Sequence, residues 1–461
     1  MTDNVSCRMS KSQFSPVTET GFFYDKILVM KTFIYDEFNP EDLAMMQALY
    51  SRSPQSVADH VEKVKQSGSG NFMKNYYVGY GHDSIGDCGT TTIFIEGVSM
   101  LVAKAIQQWP LYSGQETSTR YIDMSQQAMI DPVGTRESKT ILDKWLKFYI
   151  GSQEKVATHL RVKYFKKSDE YEKVYEKAIK ARVFDIMRGF LPAGMTTQLS
   201  WHTNLRQAHD HLALLHYWPL EEVKNVAQEI HNGLKIKYAS SFSHKEYSEQ
   251  EAYRELLGKQ ATYYLPKKFN GKFKFSTRVT PADLKPSEKL LKSRSQKTNL
   301  PLFLAEFGML SFDFLLDFGS FRDIHRHRNG VCRMPLLTTK FGFQNWYLEQ
   351  LPTDLRTQAI KLIKEQKIAI AKLKTTPEIK QYYTAMGFNV ACKVSYGLPA
   401  TVYTAELRSG RLVHPTLRKV AHQMIRAIQK KFPILKLHAD LSPDDWDIRR
   451  GLQDIKEKGK V

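Results

Sequence analysis

One order of sequence patterns occurs twice in this chain of 461 residues. In each half, an apolar and β-branched stretch runs into a helical pattern, at TTTIFIEGVSMLVAKAIQQW (90–109) and at FLAEFGMLSFDFLLDFGSFRDIHRHR (303–328). A polar irregular segment and long helical patterns then follow in both halves. Because the strand-like stretches are short and early while the helices cluster later, the order predicts an α+β fold built as a divergent tandem repeat.

Further elements follow from periodicity. FFYDKILVMKTFIYD (22–36) alternates like a strand, and NPEDLAMMQALYS (39–51) predicts a helix with Pro40 in its first turn, where the missing N–H costs least. Long helices are predicted over 137–160, 171–190, 200–218, 220–242, 353–374 and 414–432.

A basic stretch separates the halves. Between Lys259 and Lys297 there are eleven Lys or Arg residues and two acidic residues, so about half of the net charge of +19 lies in 39 residues. Pro and Gly interrupt this stretch, as is common at a domain boundary. Its charge suits a solvated connector, or a surface for RNA, DNA or polyglutamylated folates. The predicted division is a flexible N-terminus (1–20), a first repeat (21–257), a basic connector (258–300) and a second, divergent repeat (301–461).

Composition limits the class of protein. There is no apolar run of the roughly 18 residues that a transmembrane helix needs, and MTDNVSCRMSKSQFSP lacks the apolar region of a signal peptide. The four cysteines lie far apart, without CxxC spacing, which argues against a disulfide scaffold or a zinc site and favours a reducing, cytoplasmic setting. His325 and His327 alternate, but no third ligand has convincing spacing, so no metal is expected.

The densest polar segment of the first half is Ser113-Gly-Gln-Glu116-Thr-Ser118-Thr-Arg120-Tyr121. Its hydroxyls, backbone N–H groups and guanidinium suit a phosphate or the edge of a pyrimidine. By itself this composition fits a solvated loop equally well.

The first half resembles the flavin-dependent thymidylate synthase family over most of residues 45–235. Three groups of residues match the family's motifs at the same spacing. They are Gly81, His82 and Ser84; Ser113, Glu116, Ser118, Arg120 and Tyr121; and Arg188, Leu191, Pro192, Thr197, Asn204 and Arg206.

The two halves keep complementary parts of the family pattern. Where the family has Arg-His-Arg, the first half has Gln108-Trp109-Pro110, and its later Leu-Arg is Leu214-Leu215. The second half keeps Arg326-His327-Arg328 and Leu407-Arg408 but lacks the Ser…Glu-x-Ser-x-Arg-Tyr residues. The resemblance therefore implies two divergent copies of the family's fold, a small mostly antiparallel sheet packed with long helices, forming a pseudo-dimer with one composite site.

The resemblance also implies roles. In the implied reaction, dUMP is methylated to dTMP with methylenetetrahydrofolate and NADPH through FAD, by a homo-oligomer that is a dimer of tandem chains. Arg408 and Ser118 are expected to be catalytic, with Arg408 stabilising negative charge on the uracil carbonyl. The nucleotide site would comprise Glu116, Ser118, Arg120, Arg188 and Arg408. The cofactor site would comprise His82, Asn204, Arg206, Arg326, His327 and Arg328.

Other interpretations stay open at this point. A related flavoenzyme could add a different C5 group or act on another pyrimidine nucleotide, since Gln115 and Asn329-Gly330 depart from the family pattern. A non-catalytic nucleic-acid-binding protein on the same fold is compatible with the charge, although no RRM, KH, helix-turn-helix or zinc-finger signature is present. An inert partner subunit is a further alternative. Cys88 and Cys332 could be nucleophiles, but neither has an activating neighbour in sequence.

Overall fold

The computed structural model describes residues 38–51, 53, 57–79, 83–120 and 122–443. The predicted flexible N-terminus (1–20) and the predicted strand 22–36 lie outside the described residues. No helix within the described part of the chain is long and apolar enough to cross a membrane.

Helices make up most of the described fold, and both halves contain long ones. Those before residue 262 are α1 (Pro40–Tyr50), α2 (Val57–Ser67), α3 (Gly70–Phe72), α4 (Asp83–Gly86), α5 (Met100–Gln107), α6 (Arg136–Lys163), α7 (Glu172–Met187), α8 (Leu205–Leu215), α9 (Glu221–Lys237) and α10 (Ser248–Ala261). Those that follow are α11 (Pro281–Leu284), α12 (Glu288–Ser293), α13 (Phe318–Ile324), α14 (Asn345–Glu349), α15 (Thr353–Lys372), α16 (Pro377–Lys380), α17 (Leu398–Ser409) and α18 (Pro415–Lys431). A π-helical segment covers Met73–Gly79, and 3-10 turns cover Arg188–Phe190, Lys285–Ser287, Leu302–Ala305 and Gln381–Tyr383.

Two small antiparallel sheets complete the fold, which is therefore α+β. The strands are β1 (Thr90–Ser99), β2 (Thr196–Asn204), β3 (Lys274–Thr277), β4 (Met309–Asp317), β5 (Gly330–Cys332) and β6 (Asn389–Gly397). β1 pairs with β2, and the other sheet has the order β3-β4-β6-β5.

A similar succession of elements occurs in both halves, although the second half also has β5 and α14 between α13 and α15. β1, α5, α6, α7, a 3-10 turn, β2, α8 and α9 are matched in order by β4, α13, α15, α16, a 3-10 turn, β6, α17 and α18. The register agrees as well, because the last residue of β1, Ser99, pairs with Thr196 at the start of β2, and Asp317 pairs with Asn389 in the same way. A side-chain oxygen caps the helix that follows each first strand, with Ser99 accepting from the amide of Val102 and Asp317 from that of Ser320.

The two halves meet along the segments that follow their 3-10 turns. The amide of Gly194 donates to the carbonyl of Tyr382 at 2.9 Å, and the amide of Gly387 donates to that of Gly189 at 2.8 Å. A Cβ on Gly387 would lie 2.7 Å from the carbonyl oxygen of Gly189, so the close approach of these two backbones requires glycine. The buried apolar side chains of both halves form one core.

Most predicted elements are confirmed, including β1 with α5, β4 with α13, and the long helices α6, α7, α15 and α18. The helix predicted over 200–218 is partly wrong, because Thr196–Asn204 is the strand β2 and the helix begins only at Leu205. His202, which the predicted helix would have contained, lies in β2. Part of the basic stretch forms β3, which pairs with β4.

Candidate functional site

Four of the predicted arginines, two from each half, lie close enough to Asp323 to lower the pKa of its carboxyl group. Arg188 Nη1 lies 3.9 Å from Oδ2 of Asp323, and Arg326 Nη2 lies 3.8 Å from Oδ1. Arg408 Nη2 donates to the Asp323 carbonyl at 2.7 Å. Burial would raise the pKa of Asp323, but Arg188, Arg120, Arg326 and Arg408 outweigh it and hold the pKa below its ordinary value. Arg120, Arg188, Arg326 and Arg408 are called the arginine cluster below.

The ends of three helices position the residues around Asp323. Arg188 opens the 3-10 turn that ends α7, and Arg408 lies in the last turn of α17. Asp323 lies near the end of α13, and Arg326 comes three residues after Asp323, just beyond that helix. The short helix α13 therefore positions both an acid and a base at the meeting point of the halves.

Arg120 joins the cluster through a second carboxylate. Its Nε and Nη2 donate to the two oxygens of Asp185 at 2.5 and 3.0 Å. The Asp185 side chain is only 1 % exposed, and that of Arg120 is 13 % exposed. Burial raises the pKa of Asp185, although Arg120 and Arg188 oppose the shift. Arg120 is thus anchored to the first half and also approaches the carbonyl of Leu412 in the second half at 3.4 Å.

Arg188 is buried within a polar network. Its Nη2 donates to Ser320 Oγ at 2.8 Å, and that hydroxyl also contacts Nδ1 of His414 at 3.2 Å. Burial lowers the pKa of His414 well below its ordinary value, with Arg188 and Arg120 adding to the shift, so this imidazole is neutral. Asp317 accepts from Tyr347 at 2.7 Å on the other side of Arg188. The guanidinium of Arg188 is therefore held in a fixed orientation.

The Arg-His-Arg triplet borders a cavity of about 390 Å3, within the range of about 300–1,000 Å3 that is usual for small-molecule sites. Arg326, His327, Arg328 and Arg408 line it together with Tyr396 and Tyr403. Arg328 donates to the carbonyl of Gln107 at 2.9 Å and stacks over the Tyr112 ring at 4.7 Å. The triplet of the second half therefore contacts the first half.

His327 orients Arg408. Arg408 Nε donates to Nε2 of His327 at 2.8 Å, so this nitrogen is unprotonated. Burial lowers the pKa of His327 to about 3, and the neighbouring Arg408 adds to the shift. The neutral imidazole and the Asp323 carbonyl together fix the Arg408 guanidinium at the cavity wall.

Glu116 lies in a buried ion cluster that sequence reasoning did not foresee. Its carboxylate pairs with Lys104 at 3.1 Å and with Arg322, and it accepts from Gln107 Nε2 at 2.9 Å. Burial opposes ionisation, but Arg322 and Lys104 lower the pKa of Glu116 to about 2. Burial lowers the pKa of Lys104 to about 8. Each carboxylate oxygen of Glu116 is thus paired with a cationic side chain, Lys104 of the first half or Arg322 of the second.

The remaining predicted residues are placed less centrally. His82 lies outside the described residues. Asn204 caps α8 by accepting from the amide of Gln207 at 2.8 Å, and Arg206 pairs with Asp87 at 2.6 Å. Within the described part of the chain, neither Asn204 nor Arg206 contacts the arginine cluster. Ser118 lies on the loop before Arg120 and accepts from the Arg120 amide at 3.3 Å.

Sequence reasoning missed the residues that hold the cluster, namely Asp185, Asp323, Lys104 and Arg322. One signal was available, because Lys104 and Arg322 each come five residues after the cap of the helix that follows the first strand of their half. Asp185 and Asp323 carry no comparable pattern.

The two cysteines considered as nucleophiles have surroundings that raise the pKa of their thiols. Burial raises the pKa of Cys88, with Asp87 adding to the shift, and burial raises that of Cys332 to about 12. Both shifts disfavour the nucleophilic thiolate. No group of three or more His, Cys, Asp or Glu side chains among the described residues could hold a metal ion.

Comparison with known proteins gives a family for the first half. A family model described as thymidylate synthase complementing protein matches residues 34–238. Three relatives named UPF0159 protein are similar over most of the chain. That of Chlamydia pneumoniae is 23 % identical over 94 % of this chain and 90 % of its own, and that of Chlamydia muridarum is 25 % identical over 79 % of each. That of Thermoplasma acidophilum is 22 % identical over 86 % of this chain and 94 % of its own. Residues 34–238 of this chain therefore resemble the thymidylate synthase complementing protein family.

Proposed function

We propose that this protein is a flavin-dependent thymidylate synthase, which methylates dUMP to dTMP with methylenetetrahydrofolate, NADPH and FAD. The observation that carries the proposal is the convergence of Arg120 and Arg188 with Arg408 around Asp323, at the border of the two halves. Guanidinium groups from separate segments, fixed by buried partners, form a preorganised site for an anionic nucleotide. The match of residues 34–238 to the family model supports the same reaction class.

We propose that the cavity beside the cluster holds the pyrophosphate of a flavin dinucleotide. Arg326 and Arg328 supply guanidinium donors that suit a pyrophosphate, and Tyr403 supplies an aromatic wall. A bound flavin would supply hydride-transfer chemistry that amino-acid side chains lack. The residues of this chain would hold the dinucleotide and orient it toward the nucleotide.

Arg408 has the geometry for its proposed catalytic role. Because His327 and the Asp323 carbonyl fix its guanidinium, it needs little reorganisation when negative charge develops on a uracil carbonyl. In the proposed site, Ser118 hydrogen-bonds the nucleotide, and Arg120 and Arg188 bind its phosphate and pyrimidine. Glu116 would act on the nucleotide chiefly by fixing the loop that carries Ser118 and Arg120, since Lys104 and Arg322 occupy its oxygens.

We further infer that the chain arose by fusion of two copies of one unit, which pair as a pseudo-dimer. The repeated succession of elements, the common register of the strand pairs and the matched positions of Lys104 and Arg322 support this inference. One composite site then contains Arg120 and Arg188 from the first copy and the Arg-His-Arg triplet from the second. The second site, which the symmetry of the pair would otherwise form, has lost its binding residues.

The proposed oligomeric state is a homodimer of two such chains. Asn204 and Arg206 have flavin-binding counterparts in the family resemblance, yet within one chain they contact other groups than the arginine cluster. Association of two chains would let these residues reach a flavin held by the partner. Light scattering should then report twice the chain mass of 53.3 kDa.

A single experiment tests the reaction. Purified protein is incubated with labelled dUMP, methylenetetrahydrofolate and NADPH, and the mass of the product nucleotide is measured. A product heavier than dUMP by one methylene unit supports the proposal. A different added mass favours the alternative C5 chemistry, and a colourless protein that neither binds nor alters dUMP contradicts both flavoenzyme proposals.

A further inference from the structure

The four-stranded sheet of the second half presents a basic face. Residues that lie directly opposite each other in an antiparallel sheet point to the same face. Lys274 of β3, Asp313 of β4 and Lys393 of β6 form one such row. Arg333, which directly follows β5, extends the row, because its amide donates to the carbonyl of Lys393 at 3.2 Å. All four of these side chains are at least partly exposed.

Two further cations lie on the same side of the sheet. Side chains alternate between the two faces along a strand, and exposed positions alternate from Lys272 through Lys274 to Arg278. The row next to Lys274, Asp313 and Lys393 consists of small hydroxylic residues, Ser276, Ser311 and Ser395. Small side chains leave the cations accessible to a ligand that lies flat on the sheet. Lys272, Lys274, Arg278, Arg333 and Lys393 are called the basic sheet face below.

Lys274 and Lys393 have no fixed counter-ion among the residues that the structure describes. Asp313 lies between them in the row, but it forms an ion pair with neither ammonium group. Its carboxylate accepts from the hydroxyl of Tyr264 at 3.3 Å, and Arg333 stacks over that ring at 4.6 Å. Because five cations share this face with the single acid Asp313 on the described strands, the surface favours an anionic partner.

The matched sheet of the first half is not basic. β1 and β2 contain no Lys or Arg, and the charged residue at their exposed positions is Glu96. Since the strand pairs of the two halves share one register, the fold itself does not require the cations. They belong to the half that has the Arg-His-Arg triplet.

The basic sheet face begins beside the triplet. Asn329 borders the same cavity as Arg326 and Arg328, and the next residue, Gly330, begins β5. Arg333 comes four residues after Asn329, at most about 13 Å away along an extended strand. A long ligand bound beside the cavity can therefore continue onto the basic sheet face.

The aromatic residues of the sheet argue against single-stranded nucleic acid as the partner. Surfaces that bind such strands combine cations with aromatic rings on which the bases stack. Phe275 and Phe312 stack on each other and belong to the core side of the sheet. The ring of Tyr264 is covered by Arg333. Cations without available rings suit a chain of carboxylates better than a chain of bases.

We propose that the basic sheet face binds the γ-glutamyl tail of a polyglutamylated folate. This proposal rests on the proposed function, because a methylation that runs through the flavin requires the folate to bind beside the flavin. Each γ-linked glutamyl residue adds one carboxylate to the tail, and Arg333, Lys393 and Lys274 would meet successive carboxylates.

The test compares the affinities of the full chain for tetrahydrofolate with one or with five γ-linked glutamyl residues, measured by calorimetry at pH 7.5. The variants are the double substitution Lys274→Gln/Lys393→Gln and the single substitution Asp313→Asn. Lys147→Gln is the matched control, because it removes one exposed cation from α6 in the first half. Oligothymidylate is titrated as the single-stranded nucleic acid.

Wild-type protein should bind the pentaglutamyl form about 10-fold more tightly than the monoglutamyl form, because several exposed contacts worth roughly 1.4- to 5-fold each multiply. The double variant should lose most of this preference. Asp313→Asn should enlarge it, an increase that misfolding would not produce. Lys147→Gln should keep the wild-type ratio, and the wild-type preference should shrink at high ionic strength.

Turnover of dUMP, measured separately, distinguishes failure of this proposal from failure of the proposed function. If dUMP is methylated but the two folates bind within about 2-fold of each other, only the tail-binding proposal is overturned. If dUMP is not methylated but the pentaglutamyl preference is present and falls in the double variant, the proposed function fails and the tail-binding role stands. Oligothymidylate that binds more tightly than the pentaglutamyl form, and loses its affinity in the double variant, identifies a nucleic-acid surface and overturns the proposal.

Discussion

Lys104 and Arg322 occupy the same point of two helices, five residues after the cap, and both pair with the one carboxylate of Glu116. Lys104 comes from the first half and Arg322 from the second, and all three charged groups are almost fully buried. A buried pair of this kind contributes little net stability over an apolar replacement, but removing one partner leaves an uncompensated charge. The triad therefore makes the packing of the halves sensitive to a single atom exchange at Glu116.

The Glu116→Gln variant should be strongly destabilised. It leaves Lys104 and Arg322 buried without their carboxylate, which typically costs about 3–5 kcal/mol. Urea unfolding followed by circular dichroism measures the change in the free energy of unfolding. Glu365→Gln is the control, because its pair with Lys144 is exposed and is worth at most about 1 kcal/mol. A loss at Glu116 no larger than that of the control would contradict the assigned role.

Stability should fall as the pH drops below about 6.5. His209 and His244 stack at 4.0 Å, and burial lowers the pKa of both, to about 3 for His209. The folded state keeps these rings neutral while the unfolded state takes up protons near pH 6.5, so the stability is complete above that pH and is lost progressively toward pH 3. Between pH 7.5 and 5, His209 should account for about 1–2 kcal/mol.

Thermal unfolding across this pH range checks the prediction. His209→Phe keeps an aromatic ring beside His244 and should flatten the pH dependence. His202→Phe, on an exposed position of β2, should leave it unchanged. Equal slopes for wild type and His209→Phe would show that this ring is not responsible.

Substitutions of different arginines should weaken the binding of different ligands. Arg326→Ala removes a half-exposed side chain and should chiefly weaken flavin retention, whereas Arg120→Lys and Arg188→Lys should chiefly weaken dUMP binding. Loss of a charge-assisted contact costs on the order of 1.5–3 kcal/mol, or roughly 10- to 150-fold in affinity. Arg411→Ala, at an exposed site, is the control. Equal loss of flavin in all three variants, with unaltered dUMP affinity, would contradict the assignment.

Ser118 and Arg408 should act as one unit although they lie on different halves. Each single Ala substitution should reduce turnover while the fold and flavin spectrum persist. The double substitution should cost less than the sum of the two free-energy changes, because residues that serve one site are non-additive. Steady-state kinetics of the four proteins measures this coupling. Strictly additive effects would indicate independent positions.

Flavin content tests the single composite site. Only one Arg-His-Arg triplet is present in the sequence, so about one FAD per chain is expected. Flavin released by denaturation is quantified by absorbance against the protein concentration. A reproducible value near two per chain would mean that a second, unrecognised flavin site exists.

Sequence patterns predicted the elements that depend on local periodicity. β1 with α5 and β4 with α13 follow from apolar stretches that change period, and Pro415 marks the start of α18. β2 was missed because a helical pattern directly follows it, although Asn204 provides the cap that separates the two. β3 has four residues and is stabilised by pairing with β4, a contact between distant segments that local patterns do not contain.

Some residues of the candidate site could likewise be predicted from sequence motifs, and others could not. Complementary motifs in the two halves predicted which arginines belong together, and Arg188, Arg326 and Arg408 indeed meet at Asp323. Their functional roles stay predictions. Asp323 and Asp185 could not be singled out, because a carboxylate acquires its significance from neighbours that only the tertiary fold supplies.

The contact of Gly189 with Gly387 has a consequence for how this molecule can evolve. In a two-fold symmetric homodimer, every substitution appears on both faces of the interface at once. In the duplication proposed for this chain, the two faces are encoded by different codons, so a substitution on one face leaves the other unchanged. A substitution at Arg322, which pairs with Glu116, does not change the residue at the matching position of the first half, Lys104. Substitutions can therefore accumulate on one side of the interface alone, which is not possible between two identical chains.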